Sequence, residues 1–199
     1  MKYSKVKFML YQVVALLILA SFYGFYIAKI IRQRKHSIKT NQVGSRGKTK
    51  KVMAVEITMS AVNTLNIAAE VISIFLTPSD FCLPLKVFGI AVGVMGVLFF
   101  ALATVAMKNN WRVGIPEEKT NVVTNGIYRF SRNPAFLGFY LLYISILLLF
   151  FNAWLLIISV LAMILLHIQV LQEENWLSRT FGEEYEAYRA EVRRYFGRK

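Results

Sequence analysis

The sequence predicts an all-α protein: a bundle of about five transmembrane helices with a C-terminal helical hairpin and an amphipathic tail helix. Three observations predict it. Of the 199 residues, 56% are hydrophobic and only 18% charged, against about 25% charged in an ordinary soluble domain. The apolar residues form blocks long enough to cross a ~30 Å hydrocarbon core. The basic residues fall between alternate blocks, as in a chain that crosses a membrane back and forth.

The first block covers residues 8–31 and is almost wholly apolar until Lys29 near its end. Lys2, Lys5 and Lys7 precede it as they would a signal peptide, but the run is too long and residues 21–26 (SFYGFY) carry no small-residue cleavage pattern. It reads as a retained first span. Further blocks cover residues 52–76, 85–107, 134–151 and 154–171. Asn152 and Ala153 leave room only for a tight turn, so the last two blocks form a hairpin. Pro134 suits the first turn of its helix, where a missing N–H is harmless. Backbone groups in lipid must be satisfied within the segment, so each block is helical.

Nineteen of the 24 Lys and Arg lie in residues 32–51, 108–133 and 179–199. Only Lys2, Lys5, Lys7 and Lys86 lie on the opposite side. This asymmetry predicts an external N-terminus and a cytoplasmic C-terminus. The net charge of +13 then reflects topology and attraction to lipid headgroups rather than nucleic-acid binding. Residues 32–51 read as a solvated, mobile basic loop. The lone Cys82 excludes an internal disulfide framework and a multi-cysteine metal site, and with only His36 and His167 a histidine-built metal centre is not expected.

Within the second span Glu56, Asn63 and Glu70 recur every seven residues, with Asn66 beside them. Polar groups at membrane depth face the bundle or a cavity, so this face is a hydrogen-bonded packing seam, a homodimer contact or a substrate-facing wall. In the third span Gly89, Gly93 and Gly96 form a small-residue strip that permits close helix approach.

Chemistry concentrates after the third span. Residues 108–133 end in GIYRFSRN, and the hairpin returns the chain to QVLQEEN at residues 169–175. Tyr128, Arg129, Arg132 and Asn133 therefore meet Gln169, Glu173 and Glu174 at one membrane face. Gln169 and Glu173 are one helical turn apart. A carboxylate at a helix C-terminus is disfavoured by the macrodipole, so the acidic pair reads either as a solvated helix end or as a cluster awaiting a cation, with arginines nearby for an anion.

These residues carry a resemblance. Residues 125–134 (NGIYRFSRNP), the apolar hairpin, Glu173-Glu174-x-x-Leu177 and residues 181–188 (FGEEYEAY) resemble the integral-membrane methyltransferases of the isoprenylcysteine carboxyl methyltransferase and phospholipid methyltransferase families. The resemblance covers roughly residues 109–195. It implies S-adenosylmethionine bound at the cytosolic membrane face without a Rossmann fold. Carried over by position, it implies cofactor contacts from Val122, Val123, Tyr128, Asn133, Pro134, Ala135, Phe136 and Glu173. Gln169 falls at the substrate position where the prenylcysteine enzymes have a carboxylate-pairing arginine. Arg112 is a candidate substitute for that charge, and Arg132 is the candidate catalytic residue. Asn133 stands where a histidine is usual; it can hydrogen-bond but cannot titrate near neutrality.

The resemblance thus implies methyl transfer to a lipid-like or prenylated acceptor, a carboxylate or an amine. Residues 1–107 would supply N-terminal spans and residues 108–199 the catalytic region. Two other readings stay open: an NADPH-dependent membrane reductase of the steroid-reductase type, which has a similar C-terminal run, and a non-catalytic membrane protein.

Overall fold

The computed structural model describes residues 2–45, 47–78, 81–116 and 120–199, without the side chains of residues 2–8. Of the basic residues counted above, Arg46 and Lys119 lie outside the described residues, as do the side chains of Lys2, Lys5 and Lys7. The helices are α1 (Lys2–Lys35), α2 (Lys50–Leu76), α3 (Leu83–Met107), α4 (Pro134–Leu149), α5 (Ala153–Phe181) and α6 (Glu183–Glu191). Among the described residues, α1, α2, α3 and α5 are long and apolar enough to cross a membrane. The fifth expected span, α4, has 16 residues and so extends about 24 Å. The fold is a helical membrane bundle.

The glycine strip of α3 finds its partner in α4. A β-carbon at Gly96 would stand 2.9 Å from the Gly138 carbonyl oxygen, and one at Gly138 would stand 2.9 Å from that of Gly96. The two backbones therefore touch, and any larger residue at either position would separate them. Ser145 adds a hydrogen bond to the Gly89 carbonyl at 2.7 Å. Phe22 of α1 closes the α3–α4 groove, with its ring 4.4 Å from Phe100 and 4.8 Å from Phe139.

The polar face of α2 is used in three ways. Asn66 donates to Glu70 at 3.2 Å and accepts from Ser159 of α5 at 2.9 Å, which makes the packing seam. Asn63 accepts from Tyr143 of α4 at 3.2 Å and lines a cavity. Glu56 ties down loops, as described below. At one end of the bundle Asn152 caps α5 by accepting from the Leu155 N–H at 2.9 Å, and donates to Ser73 at 2.7 Å and Thr77 at 3.1 Å near the end of α2. The three basic segments gather at the other end.

The hairpin helices are neighbours, as expected, and each has a second and more extensive partner: α4 lies along α3 and α5 along α2. Two expectations are corrected. The basic loop is docked, because Gln33, Thr40 and Gln42 are buried in it. Gln42 N–H donates to Val113 O at 2.9 Å, Val113 N–H to Thr40 O at 3.0 Å, and Gln33 to Trp111 O at 2.9 Å. Lys48 turns inward as well, donating to the Gln42 carbonyl at 2.6 Å, so a charge count conceals how much of the loop is bonded. Lastly, the helical spacing of Tyr185, Tyr188, Val192, Tyr195 and Phe196 predicts a tail helix through all five, but the helix stops at Glu191, short of Tyr195 and Phe196. There the backbone turns back, with Arg193 N–H bonded to Gly197 O at 2.9 Å and Gly197 N–H to Phe130 O at 2.7 Å. Those partners displace the helical ones.

Candidate functional site

A cavity of about 260 Å³ opens at the basic end of the bundle. All five long helical segments contribute to it. Tyr26 comes from α1, Met59 and Asn63 from α2, Phe100 and Met107 from α3, Phe136 and Phe139 from α4, and Leu166, Gln169 and Glu173 from α5. Tyr185 and Tyr188 of α6 close one side. The aromatic and aliphatic walls keep water away and strengthen each polar contact inside.

The roof is held by Glu56. Its fully buried carboxylate accepts from Gly44 N–H and Ile115 N–H, each at 2.8 Å, and pairs with Lys48 at 2.7 Å. Val43, Val113 and Gly114 line the cavity beneath this clamp. A β-carbon at Gly114, whose φ is +86°, would sit 3.0 Å from the Glu56 oxygen, so glycine is what lets the connection approach.

Glu173 and Glu174 have separate roles. The helix runs seven residues past Glu174 to Phe181, so both carboxylates are mid-helix and the macrodipole argument does not apply to them. Glu173 lines the cavity and accepts from Gln169 at 2.9 Å. Glu174 points away into a buried knot. It pairs with Arg132 at 3.2 Å and Arg194 at 3.0 Å, and accepts from the Asn133 amide at 2.8 Å. The Glu174 hydrogen bond holds the Arg194 guanidinium above its ordinary pKa.

Tyr128 is seated by the short 3-10 turn Gly126–Arg129, where Gly126 takes φ +60°. Tyr188 donates to the Tyr128 carbonyl at 2.7 Å and so fixes the turn to α6. Burial, reinforced by Tyr188 and Glu173, pushes the Tyr128 hydroxyl well above the usual tyrosine range. Burial, then the neighbouring Glu174, does the same to Tyr185. Both remain neutral hydrogen-bonding groups at physiological pH.

Three buried groups of the cavity lack full protein partners: Gln169 Oε1, Tyr185 OH, and Nε and Nη1 of Arg132. Leaving such groups unsatisfied costs about 1–3 kcal/mol each. An acceptor beside the Glu173 carboxylate and donors on Arg132 and Tyr185 suit a ligand that carries both a cation and an anion.

Of the residues singled out from the sequence, Val122, Val123, Tyr128, Asn133, Ala135, Phe136 and Glu173 line this cavity, with Gln169, Arg112 and Arg132. Pro134 does not; it is the buried first residue of α4. Arg112 is bonded to the carbonyls of Asn109 at 2.6 Å and Trp111 at 3.0 Å. Asn63, on the α2 face for which a substrate-facing wall was one reading, lines the cavity, whereas the contributions of Tyr26, Tyr185 and Tyr188 as walls were missed. For the last two, the late Tyr-x-x-Tyr pattern was the available signal.

The fold and cavity together define a helical membrane protein with a candidate small-molecule site at the basic end of the bundle. The phospholipid methyltransferase family model matches residues 85–184, just over half of the chain, and the chain belongs to that family. No curated protein matches it.

Proposed function

We propose that the protein transfers a methyl group from S-adenosylmethionine to a lipid-like acceptor at the cytoplasmic membrane face. The single observation that carries this reading is the set of buried, unpartnered polar atoms on residues that line one cavity. Their chemistry fits an amino-acid zwitterion. Glu173 and Gln169 Oε1 would hold its ammonium, and Arg132 and Tyr185 its carboxylate, through charge-assisted hydrogen bonds. Val122, Val123, Tyr128, Asn133, Ala135 and Phe136 would enclose the remainder, with Pro134 setting the start of their helix.

Bound there, the cofactor supplies a methyl group already activated on a sulfonium. The chain's own residues then need to bind, orient and exclude water. Arg132 acts by holding an anion, since a guanidinium offers hydrogen-bond donors and no acceptor. The acceptor would enter from the bilayer through the apolar walls, with Gln169 and Arg112 at the boundary between the two ligands. A carboxylate acceptor attacks as it is, whereas an ammonium must first lose its proton. In this reading residues 108–199 carry most of the cofactor contacts and residues 1–107 complete the cavity. The C-terminus is cytoplasmic and the N-terminus external.

Titrating the purified protein in detergent with S-adenosylmethionine and with NADPH, by calorimetry, tests the reading. Saturable binding of the first and none of the second is expected. The reverse result would assign a reductase, and binding of neither would leave a membrane protein without this activity.

A further inference from the structure

We infer that Tyr195 is a positioning residue for the cofactor cavity: it locks a C-terminal strap, residues 192–199, across the gap between α4 and α5. The inference rests on the proposed S-adenosylmethionine site for its functional consequence, but its geometry stands alone.

The strap is not helical, yet its backbone is paired. Arg132 N–H donates to Arg193 O at 3.2 Å, Asn133 and Ser131 side chains donate to Arg194 O at 3.2 and 3.3 Å, and Gly197 N–H donates to Phe130 O. Four consecutive residues that open α4 and the cavity, 130–133, therefore take their register from the strap. Hydrogen bonds along a short, partly exposed segment fray unless side chains anchor it.

Two adjacent side chains do so. Arg194 reaches Glu174, and Tyr195 reaches His167, with its hydroxyl 2.5 Å from Nδ1. Glu174 and His167 are seven residues apart on α5, two helical turns and about 10 Å, so the strap is pinned along one face of that helix. Tyr195 also meets α4: its hydroxyl is 3.2 Å from that of Tyr140, and the two rings stand edge to face at 5.5 Å. Because α4 and α5 pair mainly with other helices, this side chain joins the Asn133–Glu174 bond in tying together the helices that carry the cavity residues Phe136 and Glu173. His167, left without a role by the mechanism, is thereby used. It is the α5 end of the latch.

The test uses the full chain in detergent. Tyr195→Phe keeps the ring and loses the hydroxyl; His167→Phe removes the α5 partner, while His167→Asn keeps a polar atom near the Nδ1 position. Tyr195→Phe and His167→Phe are each expected to weaken S-adenosylmethionine binding about fivefold, with the double variant no weaker than Tyr195→Phe alone, because the Tyr195 hydroxyl carries both the His167 and the Tyr140 contacts. His167→Asn should restore most of the affinity, and the thermal midpoints should stay near the parent's. Hydrogen exchange without ligand supplies the independent arm: peptides covering residues 128–137 should exchange faster in Tyr195→Phe, while those of α2 stay unchanged.

Parent-like affinity and exchange in Tyr195→Phe would overturn the inference. So would a loss of affinity that follows the thermal midpoint and is not rescued by His167→Asn, since that describes structural support only. If the parent itself fails to bind S-adenosylmethionine, the proposed function falls, and the exchange of residues 128–137 alone decides whether Tyr195 sets their position.

Discussion

Asn133 donates its amide N–H to Glu174 at 2.8 Å, joining the start of α4 to the middle of α5 across 41 residues. The bond gives the Asn133 side chain a structural partner at the mouth of the cavity. The position needs a donor to a buried carboxylate, and an amide supplies one at every pH. Arg132 and Arg194 complete the charge balance on Glu174, so the knot is a structural element adjoining the cavity.

Glu174→Gln is therefore expected to act on folding before it acts on binding. Removing one partner of a buried charged cluster costs about 3 kcal/mol or more, because both guanidiniums lose their carboxylate. Chemical unfolding in mixed micelles should show that loss, and a parent-like midpoint would mean that the cluster contributes little. The acidic pair, of which the resemblance assigns only Glu173 to the cofactor, is two residues with different work.

Glu173→Gln should do the opposite. The side chain keeps its shape and its neighbour Gln169 but loses the charge offered to a bound ammonium. A charge-assisted hydrogen bond contributes roughly 1.5–3 kcal/mol, so affinity for S-adenosylmethionine should fall by about one to two decades with stability retained. Calorimetry at fixed ionic strength measures it. Unchanged affinity would remove Glu173 from the cofactor site.

Glu56→Gln should loosen the roof. The amide can accept on one oxygen only, so one of the Gly44, Ile115 and Lys48 donors loses its partner. The expected signature is faster tryptic cleavage after Lys48, Lys50 or Lys51, with a stability loss of about 3 kcal/mol. Cleavage at the parent's rate would show that other contacts hold the loop.

The proposed orientation can be read from labelling. Cys82 is exposed, at the bundle end opposite the basic segments. A membrane-impermeant maleimide applied to intact cells should label Cys82. It should leave Arg34→Cys, made in a Cys82→Ser background, untouched until the membrane is permeabilised. The converse pattern would invert the topology.

The sequence by itself determined the helices, because apolar runs this long in lipid have no other way to satisfy their backbone. It determined the close approach made by Gly89, Gly93 and Gly96, since missing side chains are legible without a partner. It also brought forward Tyr128, Asn133, Gln169 and Glu173, whose short-range spacing survives in the chain order. Tertiary structure alone decided what those residues face. It paired α4 with α3 and α5 with α2, opening the space between the hairpin helices. It also buried Gln33, Thr40 and Gln42 of a loop that charge alone reads as free, turned the tail back at Val192, and separated Glu174 from Glu173. Each of these outcomes depends on a hydrogen-bond partner dozens of residues away. Local periodicity records which face of a helix is polar; only the packed bundle supplies the group that the polar face meets.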